Sequence, residues 1–165
     1  MSGRARSRGF VLAATGLRAE AAIAARVERV RAVAGGGHGS RLGQLIRREI
    51  AGGAEAVVSF GIAAGLAPGK GPGTCAVARE IVYGDFRYPT DPAWAAQIEL
   101  AIDGVELATI AAVDRPLESL GEKHALYAKT GAVAADMESH IAARLAIEHG
   151  LPFVALRVVA DPAAR

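Results

Sequence analysis

The fold is decided by the segment LPFVALRVVAD, residues 151–161. Its stretch over residues 153–159 is apolar apart from Arg157. A nearly continuous apolar run of this length predicts a strand that is buried on both faces, as in the sheet of an α/β protein. Asp161 follows this strand, so we expect a carboxylate at its carboxyl end.

Similar segments recur upstream and alternate with amphipathic ones. The apolar periodicity predicts strands over residues 10–14, 56–61, 75–83, 105–113 and 132–135. It predicts helices over residues 41–50, 118–130 and 138–149, and a helix that ends in strand-like sequence within residues 17–33. Residues 93–102 are compatible with a short helix or a strand, and residues 67–74 and 84–92 are expected to be irregular. This alternation predicts a three-layer α/β/α fold with a central mixed sheet.

Glycines mark several breaks in this pattern. Gly52-Gly53 is predicted to end the helix of residues 41–50, which Ser40 is expected to cap at its N-terminus. The glycine clusters of residues 35–39 and 61–65 allow the backbone to approach an anion closely. Turns between alanine-rich elements explain each cluster equally well. Neither cluster fits a Rossmann fingerprint or a P-loop.

The chain has 165 residues, of which 52% are hydrophobic, and its formal net charge is +2. This length can bury the core of one domain. The 37 alanines against eight aromatic residues predict a core of small, closely packed side chains. We expect a flexible leader over residues 1–9 and a single domain over residues 10–165. Because the sequence stops soon after Asp161, that domain is expected to lack the helix that would cover its last strand.

Composition also excludes several classes of protein. No apolar run approaches the ~20 residues of a membrane span. One cysteine and four scattered histidines exclude a disulfide framework and a Cys/His zinc site, and we expect neither a metal nor a cofactor. Part of the basic charge lies in the leader, at Arg4, Arg6 and Arg8, so nucleic-acid binding is not expected. The leader lacks the apolar core of a signal peptide, which favours a cytoplasmic protein.

Three acidic positions follow predicted strands. Glu20 follows the first strand and a Thr-Gly turn, Glu138 lies where a strand turns into a helix, and Asp161 follows the last strand. Because ligands of α/β sheets bind at the carboxyl ends of strands, these carboxylates could converge on one crevice as general acids or bases. The alternative is that they are ordinary surface acids or helix caps.

Four blocks of sequence carry a resemblance to a known family. They are TGLRAE (residues 15–20), VVSFGIAAGL (57–66), GAVAADMES (131–139) and LPFVALRVVAD (151–161). Together they resemble the superfamily of purine nucleoside phosphorylases and methylthioadenosine/S-adenosylhomocysteine nucleosidases, in the same order and over nearly the whole chain. The motifs SFG, PTDPAW and DMESH, which begin at residues 59, 89 and 136, look most like the hopanoid-associated phosphorylases.

This resemblance implies a role for each of the three acids. Asp161 would donate a proton or a hydrogen bond to purine N7, which makes adenine a better leaving group. Glu138 would bind the ribose hydroxyls, with Met137 packed on the face of the ribose. Glu20 would orient the nucleophile if that nucleophile is water.

The resemblance also implies a purine pocket and, for a phosphorylase, a phosphate site. The purine pocket would be formed by the turn that contains Gly61, Ala63, Ala64 and Gly65. Phosphate would be bound by Gly16, Arg18 and Arg41. Arg157 lies inside an apolar strand and would either offset the phosphate charge or form a structural pair with an acid. The chain departs from the family pattern at Ile62, where many phosphorylases carry a phosphate-binding serine, and at Ala64, where glycine is usual.

The implied activity is cleavage of an N-glycosidic bond that releases adenine from an adenosine-bearing substrate. Phosphate is the expected nucleophile, and adenosylhopane, a lipid-linked nucleoside, is the expected substrate. The alternatives are a hydrolytic nucleosidase, a homologue that binds nucleosides without turnover, and an unrelated flavodoxin-like binding module. We expect a homo-oligomer without stable membrane insertion.

Overall fold

The computed structural model of the chain describes residues 9–162. Within this range the strands are β1 (Phe10–Thr15), β2 (Val30–Ala34), β3 (Ala54–Gly65), β4 (Cys75–Tyr83), β5 (Phe86–Pro89), β6 (Val105–Ala112), β7 (Ala134–Asp136) and β8 (Phe153–Asp161). The helices are α1 (Arg18–Ala24), α2 (Gly39–Ala51), α3 (Pro92–Ala101), α4 (Leu120–Thr130) and α5 (Ser139–Glu148). None of these helices is long and apolar enough to cross a membrane. The predicted leader lies, except for Gly9, outside the described residues.

Most predicted elements are confirmed, with small shifts at their ends. Residues 17–33 contain α1 and most of β2, and residues 93–102 form most of α3 as a helix. The strand predicted over residues 56–61 is longer than expected, because β3 continues through the glycine-rich residues 61–65.

The predicted start of α2 is wrong, because Ser40 does not cap it. The helix begins at Gly39, and the carbonyl oxygen of His38 accepts its first hydrogen bond from the backbone N–H of Leu42, at 3.0 Å. His38 is the N-cap residue, with an extended backbone, so Ser40 already lies inside the first turn of the helix.

The segment of residues 84–92 is not irregular throughout, because it contains β5. Gly84 adopts a left-handed φ of 59°, and the chain reverses there. The strand then pairs antiparallel with β4, with Tyr88 beside Ile81. This prediction is wrong because a strand of four residues depends on its neighbour in the sheet more than on its own periodicity.

The strands form one mixed sheet, as predicted. Its order is β2-β1-β3-β7-β6-β4-β5, and β8 lies between β3 and β4. Strand β8 runs parallel to β3 and antiparallel to β4, while β7 pairs antiparallel with the end of β3. The pairings β3-β8-β4-β6-β7-β3 therefore form a closed circuit.

Helices cover both faces of this sheet. On one face Leu42 of α2 and Leu145 of α5 pack in the same core as Phe153 of β8. On the other face Ala95 of α3 packs with Val154, the next residue of β8. Because neighbouring residues of a strand point to opposite faces, these two cores confirm the predicted three-layer arrangement.

The end of β3 is the junction at which the candidate site forms. Ala64 of β3 pairs with Asp161 of β8 on one side and with Ala135 of β7 on the other. Strand β1 runs parallel to β3 and ends at Thr15, just before the turn that leads to α1. The segments that follow β1, β7 and β8 are thereby brought next to one another.

Candidate active site

A cleft of about 320 Å³ opens beside the end of β3. Its acidic residues are Glu20, Asp136, Glu138 and Asp161. Its larger apolar residues are Leu17, Ile62, Val113, Pro116, Leu117 and Met137, and small residues complete the lining: Gly16, Gly37, Ala63, Ala64, Ala135 and Ala160. The predicted convergence of the three acids on one crevice is confirmed. The described residues that line the cleft include no lysine or arginine.

Glu20 lies in the first turn of α1, with its side chain buried. Its Oε2 accepts hydrogen bonds from the backbone N–H groups of Gly16 and Leu17, at 3.1 and 2.8 Å, and its Oε1 accepts one from Ile62, at 2.9 Å. A Cβ atom at Gly61 would lie 2.5 Å from Oε1, and φ at Gly61 is 156°, so this position requires glycine. Three backbone donors thus hold the carboxylate in place between α1 and β3.

Glu138 links the end of β7 to the start of α5. Its carboxylate lies against Gly16, where a Cβ atom would approach Oε1 to 2.6 Å. Burial raises the pKa of Glu138 above its ordinary value, and the negative charges of Asp136 and Glu20 raise it further, against the opposing effect of Arg157. Carboxylates with a raised pKa in a cleft are typical of functional sites.

Asp136 and Arg157 form a buried ion pair beneath the cleft. The guanidinium Nε donates to Asp136 Oδ2 at 2.9 Å, and Nη2 donates to Ser59 Oγ at 2.5 Å. The other oxygen of Asp136, Oδ1, accepts from the backbone N–H groups of Glu138 and Ser139, at 2.9 and 2.8 Å. Since Arg157 is 1% exposed and committed to these contacts, it organises the site and is not free to bind phosphate.

Asp161 receives a side-chain partner that the sequence does not point to. Lys123 of α4 donates from Nζ to Asp161 Oδ2 at 2.7 Å and to the carbonyl oxygen of Pro162 at 2.9 Å. A lysine on a helix ordinarily faces solvent, but this side chain is 2% exposed. Lys123 lies on the same helical face as the half-buried Leu126 and Thr130, a spacing that does not distinguish it from a lysine on any amphipathic helix.

The other predicted site residues fall into three groups. Four of them line the cleft: Gly16, Ala63, Ala64 and Met137. Two are buried and are not among the lining residues: Gly61 and Gly65. Two are exposed and also lie outside that lining: Arg18 and Arg41. Phosphate binding by these two arginines stays a prediction.

A smaller cavity of about 90 Å³ adjoins the cleft and shares Gly37, Met137 and Glu138 with it. His140, which also lines this cavity, stacks on Tyr83 with 4.1 Å between ring centroids. The hydroxyl of Tyr83 donates to Asp114 at 2.9 Å. Burial lowers the pKa of His140. No group of three or more His, Cys, Asp or Glu side chains that could hold a metal ion occurs among residues 9–162.

Comparison with known families agrees with this geometry. Residues 11–165 match the phosphorylase superfamily. The chain belongs to that family. Members of the phosphorylase superfamily include nucleosidases and nucleoside phosphorylases, enzymes that act on N-glycosidic bonds. The predicted superfamily is therefore confirmed. No curated protein matches the sequence.

Solved structures of nucleosidases share the fold of this phosphorylase-superfamily chain. S-adenosylhomocysteine nucleosidase from Streptococcus pyogenes superposes with a TM-score of 0.83 at 17% identity, over 96% of this chain and 86% of that one. Helicobacter pylori 5′-methylthioadenosine/S-adenosylhomocysteine nucleosidase gives 0.83 at 18% identity, over 94% and 86%. Futalosine hydrolase of Helicobacter pylori strain 26695 gives 0.83 at 17% identity, over 94% and 85%.

Proposed function

We propose that this protein releases adenine from an adenosine-bearing substrate by cleaving its N-glycosidic bond. The observation that carries the proposal is that Glu20, Glu138 and Asp161 line one cleft. Cleavage of this bond passes through an oxocarbenium-like sugar and needs a neutralised leaving base, so it uses carboxylates on both sides of the breaking bond.

Each carboxylate has surroundings that suit one part of this reaction. Asp161 lines the cleft and is 54% exposed, so it would face purine N7 of a bound nucleoside. Glu138, with Met137 beside it, would hold the ribose and place negative charge next to the developing cation. Glu20 is fixed by three backbone donors and would orient the nucleophile.

The lining of the cleft favours water as the nucleophile. Phosphate would bring a multiply charged anion beside Glu20 and Glu138, and the described lining residues offer no cation to offset it. Phosphorolysis, which the sequence favours, is the second candidate. Its support is Gly37, which lines the cleft with a left-handed backbone and can bring an N–H group close to an anion.

The rim of the cleft favours a substrate with an apolar 5′ substituent. Leu17 and Ile62 line the cleft, yet they remain 49% and 50% exposed. Exposed apolar side chains at a site are typical of a surface that covers an apolar ligand. We therefore propose adenosylhopane as the substrate, and we propose that the protein contacts the membrane through the lipid part of this substrate. The neighbours named for S-adenosylhomocysteine and for futalosine share one fold, so the fold alone does not select the 5′ group.

The test is adenine release from S-adenosylhomocysteine, methylthioadenosine and an adenosylhopane analogue, each with and without phosphate. We expect release without phosphate, fastest from the hopane analogue. Strict dependence on phosphate would establish the phosphorylase alternative. Absence of release from all three substrates by a folded chain would contradict the proposal and favour a homologue that only binds nucleosides.

Two variants separate the choice of substrate from the chemistry. Ile62→Asn should lower kcat/KM for the hopane analogue more than for methylthioadenosine, because it makes the rim polar while the carboxylates stay in place. Ile147→Asn is the matched control, since Ile147 is also exposed but lies on α5 and does not line the cleft. Equal loss on both substrates would contradict the lipid-linked substrate.

We also propose that the chain acts as a homo-oligomer, as the family resemblance implies. Light scattering checks this directly, and a monomer at the concentrations of the assay would contradict it.

A further inference from the structure

We propose that Lys123 is a positioning residue for the leaving group: it orients the Asp161 carboxylate towards N7 of the departing purine. This inference rests on the proposed function, because it assigns Asp161 to the purine. It concerns a residue of α4 that lies outside the lining of the cleft.

The contacts of Asp161 differ on its two sides. Towards the protein, Oδ2 accepts a hydrogen bond from Lys123 Nζ at 2.7 Å. The other oxygen, Oδ1, accepts no hydrogen bond from residues 9–162, and Asp161 itself lines the cleft. The ammonium therefore holds Oδ2 and leaves Oδ1 to carry a proton taken up from solvent, which passes to N7 as the bond to the purine breaks. The carboxylate that remains keeps the ammonium as its counter-ion.

The ammonium is held rigidly. Lys123 is 2% exposed, and its Nζ also donates to the carbonyl oxygen of Pro162 at 2.9 Å. A buried ammonium is stabilised by pairing, and Asp161 supplies a carboxylate partner at 2.7 Å. An exposed carboxylate at the end of a strand would otherwise sample several rotamers, and Lys123 restricts it to one.

Helix α4 is fixed at the end that carries Lys123. Ser119 caps it by accepting from the backbone N–H of Glu122 at 3.2 Å, and Glu122 accepts in return from Ser119 at 3.2 Å. The loop before this cap supplies Pro116 and Leu117 to the cleft. The loop before α4 therefore lines part of the cleft, and the helix that follows it carries Lys123, the residue that orients Asp161.

The experiment compares Lys123→Met with the wild-type enzyme on two substrates. We expect kcat for adenine release to fall about 10- to 100-fold, with a smaller change in KM, because a small misplacement of a catalytic group costs up to about 10²-fold. Hydrolysis of 4-nitrophenyl riboside should change little, because its leaving group needs no proton. Lys123→Arg, which keeps the cation, should retain more activity than Lys123→Met.

Three controls exclude a general loss of structure. Circular dichroism and urea unfolding check that Lys123→Met is folded. Lys129→Met changes an exposed lysine of the same helix and should leave both rates unchanged. The double variant Asp161→Asn/Lys123→Met should be no slower on the adenine substrate than Asp161→Asn alone, because two residues that act as one unit are not additive.

A binding measurement tests the same idea without turnover. Adenine and 7-deazaadenine differ at N7, so calorimetry on the full chain should give tighter binding of adenine. Lys123→Met and Asp161→Ala should each remove that preference, whereas Lys129→Met should keep it.

The possible failures can be told apart. Wild-type rates and N7 preference in a folded Lys123→Met variant would overturn the positioning role, as would an equal loss on both substrates. An Asp161→Asn variant that keeps its rate, or an Asp161→Ala variant that keeps the N7 preference, would overturn the assignment of Asp161 to the purine. A chain that neither binds nor releases adenine would overturn the proposed function itself.

Discussion

The guanidinium of Arg157 lies 2.9 Å from the carboxylate of Asp136, and both side chains are almost fully buried. This pair joins three strands, because Arg157 belongs to β8, Asp136 ends β7, and the Ser59 hydroxyl that Arg157 also contacts belongs to β3. Each of these strands leads to part of the candidate site. The ion pair therefore fixes the relative positions of the segments that carry the carboxylates of the candidate site.

Replacing the cation should destabilise the whole domain. In Arg157→Met the carboxylate of Asp136 stays buried without its counter-ion, and breaking a buried pair in this way costs about 3–5 kcal/mol. We expect urea unfolding to show a loss of that size. Arg144→Met is the matched control, since Arg144 and Glu148 form an exposed pair at 3.8 Å, and it should change stability by less than about 0.5 kcal/mol. Equal effects of the two variants would contradict this role of Arg157.

A methyl group at Gly61 should damage the reaction through Glu20. In Gly61→Ala the new Cβ would lie 2.5 Å from Glu20 Oε1, so the carboxylate must leave the backbone N–H of Ile62. We expect kcat to fall at least about 10-fold while the circular dichroism spectrum is preserved. Gly71→Ala, where a Cβ meets nothing within 4 Å, should keep wild-type kinetics. Full activity of Gly61→Ala would show that the position of Glu20 is not needed.

Removing the charge of Glu138 should stabilise the protein while it slows the reaction. The pKa of Glu138 in the folded state is raised above the ordinary value of about 4.5. Between these two pKa values the folded state therefore binds more protons than the unfolded state. At a pH above the folded-state pKa, the ionised Glu138 lowers the free energy of unfolding. At pH 7, Glu138→Gln should raise Tm, by about 2–4 °C for each 1 kcal/mol of that decrease in a chain of this size. The gain should vanish below about pH 4.5, and calorimetry at both pH values checks it. A lower Tm at pH 7 would contradict the cost of burying this charge.

The stability of the protein should also depend on His140 between neutral and acid pH. Burial lowers the pKa of His140 below about 6.5, against the opposing effect of Asp136 and Asp114. As the pH falls, the unfolded state therefore binds the proton before the folded state does. The free energy of unfolding keeps the whole contribution of neutral His140 above about pH 6.5 and decreases as the pH falls from there through the pKa of His140 in the folded state. His140→Phe keeps a ring on Tyr83 and should flatten this dependence in urea unfolding measured from pH 7.5 to pH 5. If the free energy of unfolding of the variant changed with pH as steeply as that of the wild type, His140 would not be the source of this pH dependence.

Much of the fold is visible in the sequence because β8 and β3 contain long apolar runs. The acids that follow predicted strands reach one cleft because those strands end beside one another. Short elements are less visible: β5 depends on its pairing with β4, and Ser40 has the chemistry of a cap but lies one residue inside the helix.

The partners of the acids were the least predictable part of the site. Arg157 stands out as a charge inside an apolar strand, but its pairing with Asp136 depends on the contact between β7 and β8 across the end of β3. Lys123 is separated from Asp161 by two elements of the chain, and its spacing on α4 resembles that of any amphipathic helix. Such contacts arise from the sheet order, which local periodicity does not encode.

The position of β8 in the closed circuit of strands has a consequence for synthesis on the ribosome. Until β8 emerges, β3 and β4 lack the strand that lies between them, and their long-range pairing makes this step slow compared with the local helices. The cleft therefore cannot form in stages, because Arg157 and Asp161 both belong to β8 and take their places together. During that interval the nascent chain exposes two unpaired strand edges, which are the surfaces most prone to aggregation and most in need of a chaperone.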